Sequence, residues 1–506
     1  MKRFALACVI VLALFAPARA QAPNVTQIEP ITLVPGKPVD VTFVGGNLAG
    51  TIGVWTSAPA TVELTPGIEN NGKQNERVTY RITLAADAPR GLVGMRIAGL
   101  GGVSNLRLLA VDDLPTVPDK GSNNLESAVV LQLPAAVDGH IDGESGRFFK
   151  FTAASRQRIS FDVLARRLGS PLDAALHVLD TSGREVAYLD DTETTGSDPR
   201  GSITLPVAGD YFVELRDVRY KGGVDYAYHL RIGDFDLPPL PYPLLAPVPG
   251  NTSPETAEQE PNNTLEAPNV AILPGAVNGR FDALGDRDFF QFEGKQGQRL
   301  RFVGQTRSFG SAADLLMRLY KADGGQIAEA EDSGAEEGVL DITLPADGIY
   351  KLCVEELNRR SGPDFVYRIN VQPYSPGFAL VVENDKYDTA QGAPLKIKVT
   401  VRRRDYNGPV TLSVEGIDGL TVADNVLAEG AGETQLTVTP PAACAPGSIK
   451  HLRIIGAAKI GETEVRVPAS TQDALKKTLN GLPYPPDVLD GLVALGISSP
   501  KPEEKK

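Results

Sequence analysis

The chain has 506 residues, with 50 Lys and Arg against 63 Asp and Glu, for a net charge of −13. That balance, with no basic cluster beyond Arg402-Arg403-Arg404, excludes nucleic acid and anionic membrane surfaces as natural partners. The length suits roughly three to five domains, and 51 glycines with 39 prolines and little helical periodicity point to short strands joined by turns.

Residues 1–20 read as a signal peptide. Lys2 and Arg3 give a positive start, Phe4 to Phe15 form an apolar run too short to span a bilayer, and Ala18-Arg19-Ala20 fits the small-x-small cleavage rule. Cys8 lies too early in that run for a lipoprotein cysteine. No later segment is apolar and long enough to insert, so the expectation is an exported chain, in the periplasm, at the cell surface or outside. After cleavage only Cys353 and Cys444 remain. Two cysteines in different predicted domains read as separate buried thiols, although pairing stays open.

Residues 21–112 alternate apolar and polar, as in Val39 to Val44 and Arg77 to Ile82, with breaks at Gly45-Gly46-Asn47 and Pro66-Gly67. Period-two alternation with regular turns predicts an immunoglobulin-like β-sandwich. Residues 113–234 continue the pattern, with strands over Arg158 to Leu164 and Tyr211 to Leu215 and a hairpin turn at Asp180-Thr181-Ser182-Gly183. The lack of intervening helices predicts antiparallel sheets. Residues 235–257 are rich in proline, with Pro238, Pro239, Pro241 and Pro243 close together, and read as a semi-rigid linker spacing two modules.

Residues 258–373 repeat residues 113–234. Leu133-Pro134-Ala135-Ala136-Val137-Asp138-Gly139 returns as Leu273-Pro274-Gly275-Ala276-Val277-Asn278-Gly279, and Phe148-Phe149-Lys150-Phe151 returns as Phe289-Phe290-Gln291-Phe292. Asp225-Tyr226-Ala227-Tyr228 returns as Asp364-Phe365-Val366-Tyr367. A unit this long is a whole domain, so the chain carries two copies of one β-module. Residues 374–468, with strands such as Leu395 to Val401 and Thr434 to Val438, predict a second immunoglobulin-like sandwich. Residues 469–506 predict a short helix over Thr471 to Leu479, ended by Pro483, Pro485 and Pro486, and then a disordered tail. The fold class is therefore all-β, as tandem β-sandwiches.

One constellation looks like a site. Glu258, Glu260, Asn262 and Asn263 stand at the head of the second repeat, and Asp286 and Asp288 follow shortly after. In an extended segment Glu258 and Glu260 point the same way, as do Asp286 and Asp288. Calcium takes six to eight hard oxygen ligands, and these residues supply them if the linker folds back on the Asp strand. Taken alone, acidic residues in a linker are most often simply solvated.

Glu260-Pro261-Asn262-Asn263-Thr264, Val277-Asn278-Gly279 and Asp286-Arg287-Asp288-Phe289-Phe290-Gln291-Phe292 together resemble the bacterial pre-peptidase C-terminal domain. The Gly348-Ile349-Tyr350 turn and the closing Tyr367-Arg368-Ile369 strand fit as well. The resemblance covers both repeats, and the second follows the pattern more fully. It implies a jelly-roll-like β-sandwich of the kind appended to secreted proteases and related to the collagen-binding domains of clostridial collagenases. The alternation with immunoglobulin-like domains is similar to that in large secreted proteins of planctomycetes. In the collagenase relatives an acidic-Asn linker and a nearby Asp strand bind calcium, which nominates Glu258, Glu260, Asn262, Asn263, Asp286 and Asp288. The first copy departs from this: Asp119, Gly121, Ser145 and Arg147 occupy the corresponding positions, so no equivalent site is expected there, and Asn123-Asn124 remain as turn-formers. Asp173 with Asp190-Asp191, and Asp314 with Glu331-Asp332, read as turn caps rather than a second cation site.

No reaction centre is visible. His140, His177, His229 and His451 show no zinc-gathering spacing, and no Gly-x-Ser-x-Gly elbow is present. The sequence therefore predicts a non-catalytic binding or structural protein that makes multivalent contact with a cell-surface or extracellular polymer, polysaccharide or protein, with calcium, where bound, ordering the linker and stiffening the tandem. Tyr220, Tyr226 and Tyr228 are candidates for stacking on such a polymer and equally for the core, with the core favoured for Tyr228 and its counterpart Tyr367. The alternative is an accessory or targeting subunit for a separately encoded secreted hydrolase or peptidase.

Overall fold

The computed structural model describes residues 21–237, 253–332 and 337–500. The signal-peptide reading, the centre of the proline-rich linker and the last six residues lie outside them. Among the described residues no helix is long and apolar enough to cross a membrane.

The N-terminal sandwich packs two sheets. One orders its strands Asn24–Glu29, Pro38–Gly46, Arg77–Leu84, Ala60–Leu64; the other Thr32–Leu33, Arg107–Val111, Gly91–Gly99, Thr51–Thr56. Alternation places Val41 and Phe43 on the inner face with Val78, Tyr80 and Ile82 opposite them.

The two repeats fold alike, strand for strand. In the first module one sheet runs Thr116–Pro118, Ala135–Asp142, Gly222–Gly233, Arg158–Leu164, Arg200–Thr204. In the second module the matching sheet runs Glu255–Ala257, Gly275–Arg280, Val366–Pro373, Arg299–Gln305, Val339–Thr343. The facing sheets also share one order, and they bury Phe149 and Phe151 in the first module and Phe290 and Phe292 in the second. Each sheet has one edge strand paired in parallel, as at Thr116–Pro118 with Ala136 to Asp138. The sequence reading expected antiparallel pairing throughout, because nothing in a strand marks its neighbour's direction. Glu255–Ala257, within the predicted linker, is the parallel edge strand of the second module.

In the C-terminal unit most strands form one path of hydrogen-bonded neighbours, with Val410–Glu415 and Val426–Leu427 branching from it, because Ile449–Ile460 is long enough to pair with several partners. They enclose a single apolar core. Residues 469–500 are more than the predicted helix and tail. Gln472–Thr478 is helical, but Val493–Ser498 is a buried strand held between Lys386–Ala390 and Ile449–Ile460. Its Val493, Leu495 and Ile497 complete the core, which no local signal in a chain terminus announces.

The units are not merely spaced along a tether. Leu475, Leu479, Leu482 and Leu489 of the C-terminal segment pack with Leu164 and Leu168 of the first module and with Ile31, Leu106 and Leu108 of the N-terminal sandwich. Leu475 and Leu479 are four apart, so they share one helix face. A buried ion pair, Arg96 to Asp385, joins the N-terminal and C-terminal sandwiches, and the His451 ring packs at a tilt against Trp55, with ring centroids 4.3 Å apart. The second module is tied by polar contacts, among them Arg360 to Glu193 at 3.3 Å, Arg299 to Asp405 at 2.7 Å and a hydrogen bond between Tyr484 and Arg307. Cys353 and Cys444 are both buried and unpaired with each other.

Candidate metal centre

Local folding brings the proposed linker residues to the Asp strand. Glu258 N–H donates to the Asn278 carbonyl at 2.9 Å, prolonging the parallel edge pairing. The Phe289 N–H donates to the Asn262 carbonyl at 3.0 Å, fastening the Glu260 to Asn263 segment onto the start of strand Arg287–Gly294. Asn269 clamps the same segment: its Oδ1 accepts from Gln259 N–H at 2.7 Å and its Nδ2 donates to the Gln259 carbonyl at 2.8 Å.

The result is a knot of oxygens. One carboxylate oxygen each from Glu260, Asp286 and Asp288 lies within 4.8 Å of the others. Asn262 Oδ1 stands 3.2 Å from Glu260 Oε1, from Asp288 Oδ1 and from Asn263 Oδ1. Asn263 Oδ1 in turn stands 3.0 Å from Asp286 Oδ1 and 3.3 Å from the Arg287 carbonyl. Rotating both amides would turn these contacts into hydrogen bonds, but the clamp argues against rotating Asn262. Asn269 Oδ1 is fixed by Gln259, and Asn262 Nδ2 donates to it at 3.2 Å, which leaves Asn262 Oδ1 facing the carboxylates.

The second oxygen of each carboxylate is held by the protein. Asp288 Oδ2 accepts from the Tyr367 hydroxyl at 2.7 Å, Asp286 Oδ2 from the Asp282 N–H at 2.8 Å, and Glu260 Oε2 from the Asn262 N–H at 3.1 Å. Each carboxylate is thus oriented by one oxygen and aims the other at the knot. Burial, and after it the neighbouring Glu258 carboxylate, pushes the Asp288 carboxyl up to about 10. Burial also raises Glu260, with Asp286 and Asp282 adding to the effect. Such a site disfavours three simultaneous negative charges unless a cation is present.

The donor set fits calcium. In a pentagonal bipyramid with ligands about 2.4 Å from the ion, neighbouring oxygens stand about 2.8–3.4 Å apart. The O···O separations of 3.0–3.3 Å fall in that range. Carboxylate, amide and backbone oxygens with no nitrogen or sulfur are a hard-cation set.

Five of the six residues nominated from sequence meet here: Glu260, Asn262, Asn263, Asp286 and Asp288. Glu258 is not among the carboxylates that gather at the knot, although its carboxyl hydrogen-bonds Asp288. Its Oε1 accepts the Arg280 N–H at 2.7 Å and its Oε2 lies 3.4 Å from the Tyr367 hydroxyl, so it stands behind Asp288. Sequence reasoning missed the Arg287 carbonyl, which no side-chain pattern reveals, and the Tyr367 hydroxyl, since a repeated Tyr at a core position signals packing first. Tyr228 and Tyr367 are indeed fully buried, whereas Tyr220 is exposed under the Arg216 guanidinium.

In the first module a guanidinium takes the equivalent place. Arg147 is buried and its Nε lies 2.7 Å from Asp119 Oδ2, with a second ion pair to Asp142. The Tyr228 hydroxyl donates to Asp119 at 3.0 Å, as Tyr367 does to Asp288. The first module therefore carries a built-in cation, and Asn124 forms a turn by accepting from Ser127 N–H at 2.8 Å. The other repeated acids cap backbone or pair with arginine: Asp332 accepts from Leu315 N–H at 3.1 Å and Gly338 N–H at 2.6 Å, and Asp314 pairs with Arg307 and Arg360.

His229 is the buried charge centre that the sequence did not reveal. Its Nδ1 lies 2.7 Å from Asp138 Oδ1 and its Nε2 3.1 Å from Asp112 Oδ2. Asp138 also accepts from the Ile31 and Thr32 N–H groups, each at 3.0 Å, so the network ties the first module to the N-terminal sandwich. Burial works to lower the imidazolium pKa, but the hydrogen bonds and charges of Asp112 and Asp138 outweigh it and raise it to about 9.

Residues 146–217, within the first module, match the family described as bacterial pre-peptidase C-terminal domain. The match falls on the copy that the sequence reading held to be the poorer one. A probable subtilase-type serine protease of Deinococcus radiodurans is 30% identical over 170 residues, which is 32% of this chain and 22% of that protein. The chain thus spans about a fifth of that relative's length. A putative secreted protein from Eubacterium rectale superimposes with a TM-score of 0.17 at 10% identity, over 50% of this chain and 81% of that one. The M60 catalytic domain with CBM51 domains of Clostridium perfringens ZmpB gives 0.15 at 8% identity, over 86% and 39%. Superpositions this weak carry no argument.

Proposed function

We propose that this chain is an exported, non-catalytic β-scaffold whose second module binds calcium and whose surfaces contact a cell-wall or extracellular polymer. The observation that carries the reading is the convergence of five side-chain oxygens and one carbonyl at the spacing of a calcium shell. Calcium, when bound, supplies the positive charge that Arg147 supplies in the first module. Glu260, Asn262 and Asn263 come from the segment entering the module and Asp286 and Asp288 from its sheet, so the site fastens the entry of the chain to the β-structure. The family match at residues 146–217 fits an exported setting.

Calorimetric titration of the full chain with calcium tests the metal reading. One site that disappears in Asp286→Ala is expected, and an athermal, unsaturable titration sinks it. Retention of the purified chain on isolated cell-wall glycan tests the polymer contact. A second reading, an accessory to a secreted peptidase, is favoured by the subtilase-type relative. Recovery of a peptidase in stable complex from the culture fluid, with no retention on glycan, would decide for it.

A further inference from the structure

In the first module, the face that matches the metal face of the second is roofed by another unit. Residues 27–42 of the N-terminal sandwich lie over strand Ala135–Asp142 and the segment 116–121 and leave a cleft of about 830 Å³. Crevices between domains with a volume of about 300–1,000 Å³ are where ligands most often bind.

The chemistry of this cleft is one-sided. Four carboxylates line it, Glu29, Asp119, Asp138 and Asp142, against one guanidinium, Arg147. Arg147 is already engaged by Asp119 and Asp142, and Asp138 by His229. Glu29 is exposed at the rim, with the neutral Gln27 amide beside it, and it forms no ion pair among the described residues. The Asp142 side chain is 74% exposed. His140 also lines the cleft, and burial holds its imidazole below the usual range, so it adds no charge at neutral pH. Between these groups the wall mixes apolar side chains, Ile31, Val34, Val39, Pro118 and Val224, with the uncharged Thr32, Thr42 and Thr116. No aromatic side chain lines it, so a sugar ring finds no stacking surface.

The cleft is built rather than a loose gap. Arg147 and Asp138 are 4% and 6% exposed, and each is fixed by hydrogen bonds from both sides of the joint or from the strand beneath. Interdomain hydrogen bonds from Ile31 and Thr32 to Asp138 set the distance between roof and floor.

We propose that this cleft receives a lysine- or arginine-bearing segment of a partner protein, with the methylene stem along the apolar side chains of the wall and the cationic head at Glu29 and Asp142. Long basic side chains bury their stems on apolar surface while their charge stays paired or wet, and complementary charge selects and orients such a partner. The proposal rests on the binding role proposed above but not on the metal, because the cleft belongs to the first module.

The test is fluorescence anisotropy on the full chain with a fluorescein-labelled octapeptide alternating Lys with Val and Pro, and the same peptide with Glu in place of Lys. Saturable binding of the Lys peptide is expected, equal in calcium and in chelator, with none for the Glu peptide. Glu29→Lys, at an exposed position, should weaken it by about tenfold or more, and Glu29→Gln/Asp142→Asn should do the same. The charge-matched surface variant Glu69→Gln/Glu126→Gln should leave it unchanged. Failure of the Lys peptide to bind, or equal weakening in the cleft and surface variants, overturns the proposal. Peptide binding that persists when no calcium titration is seen removes the metal reading and leaves the cleft standing.

Discussion

Calcium should stabilise the second module by an amount that follows from the site's composition. A flexible all-oxygen site of an extracellular module binds with a Kd of about 10⁻⁴–10⁻³ M. At about 10 mM calcium the native state then gains about 1.4–2.7 kcal/mol, and each further tenfold adds about 1.4 kcal/mol. For a unit of this size about 1 kcal/mol moves the midpoint by about 3–4 °C, so the transition should rise by about 4–11 °C. The polar tethers of the second module, Arg360 to Glu193, Arg299 to Asp405 and Arg307 to Tyr484, bury no shared apolar core with the other units among the described residues, which allows its transition to move without the rest. Differential scanning calorimetry of the full chain, in chelator and in a calcium series, reads this directly. Asp288→Asn makes the test sharper. Its amide can still accept from Tyr367 and would turn an N–H toward Asn262 Oδ1, now 3.2 Å from an oxygen. The variant should be no less stable than wild type in chelator, gaining up to about 1 kcal/mol from the new hydrogen bond, yet should lose the calcium response. No shift in any transition at about 10 mM calcium, or a shift that survives in both Asp286→Asn and Asp288→Asn, would refute the reasoning.

Arg147→Ala strands the buried Asp119 carboxylate and should cost about 3–5 kcal/mol in equilibrium urea unfolding, with part of the loss recovered in Asp119→Ala/Arg147→Ala; a cost under about 1 kcal/mol would show that the guanidinium does not replace a cation. The His229 imidazolium is raised in the folded state, so its contribution is fully present below about pH 6.5 and is lost as pH rises through about 9. Roughly 3 kcal/mol of coupling between the N-terminal sandwich and the first module should fade across that window, and His229→Gln should flatten the pH profile of urea stability; an unchanged profile counts against the network. Leu479→Ala empties part of the joint between three units and should cost about 2–5 kcal/mol, seen as faster proteolytic release of the C-terminal segment, while the calcium shift of the second module stays as in wild type.

Much of the fold was legible before the structure, and for stated reasons. Strands such as Val39 to Val44, Arg158 to Leu164 and Ile349 to Val354 show in sequence because period-two alternation is imposed by the pleat itself. The repeat showed as well, because two copies of one sandwich keep their inward-facing residues. Five metal candidates could be named because short carboxylate and amide runs carry their ligand chemistry locally. The position of Glu258 could not be read, since it depends on the Arg280 N–H across the sheet edge. Val493–Ser498 was mistaken for tail because a strand buried on both faces lacks alternation and gains its partners from residues far away.

The amino-acid sequence by itself determined the all-β class, the duplicated module and the residue types at the candidate metal centre, all of which rest on local periodicity and local chemistry. Tertiary structure alone decided what those residues face: a backbone carbonyl and a tyrosine hydroxyl completing one site, a guanidinium filling its twin, a histidine locked between two aspartates, and a cleft where two sandwiches meet. Each depends on contacts between segments tens to hundreds of residues apart, and a linear pattern carries no record of which distant neighbour closes on it.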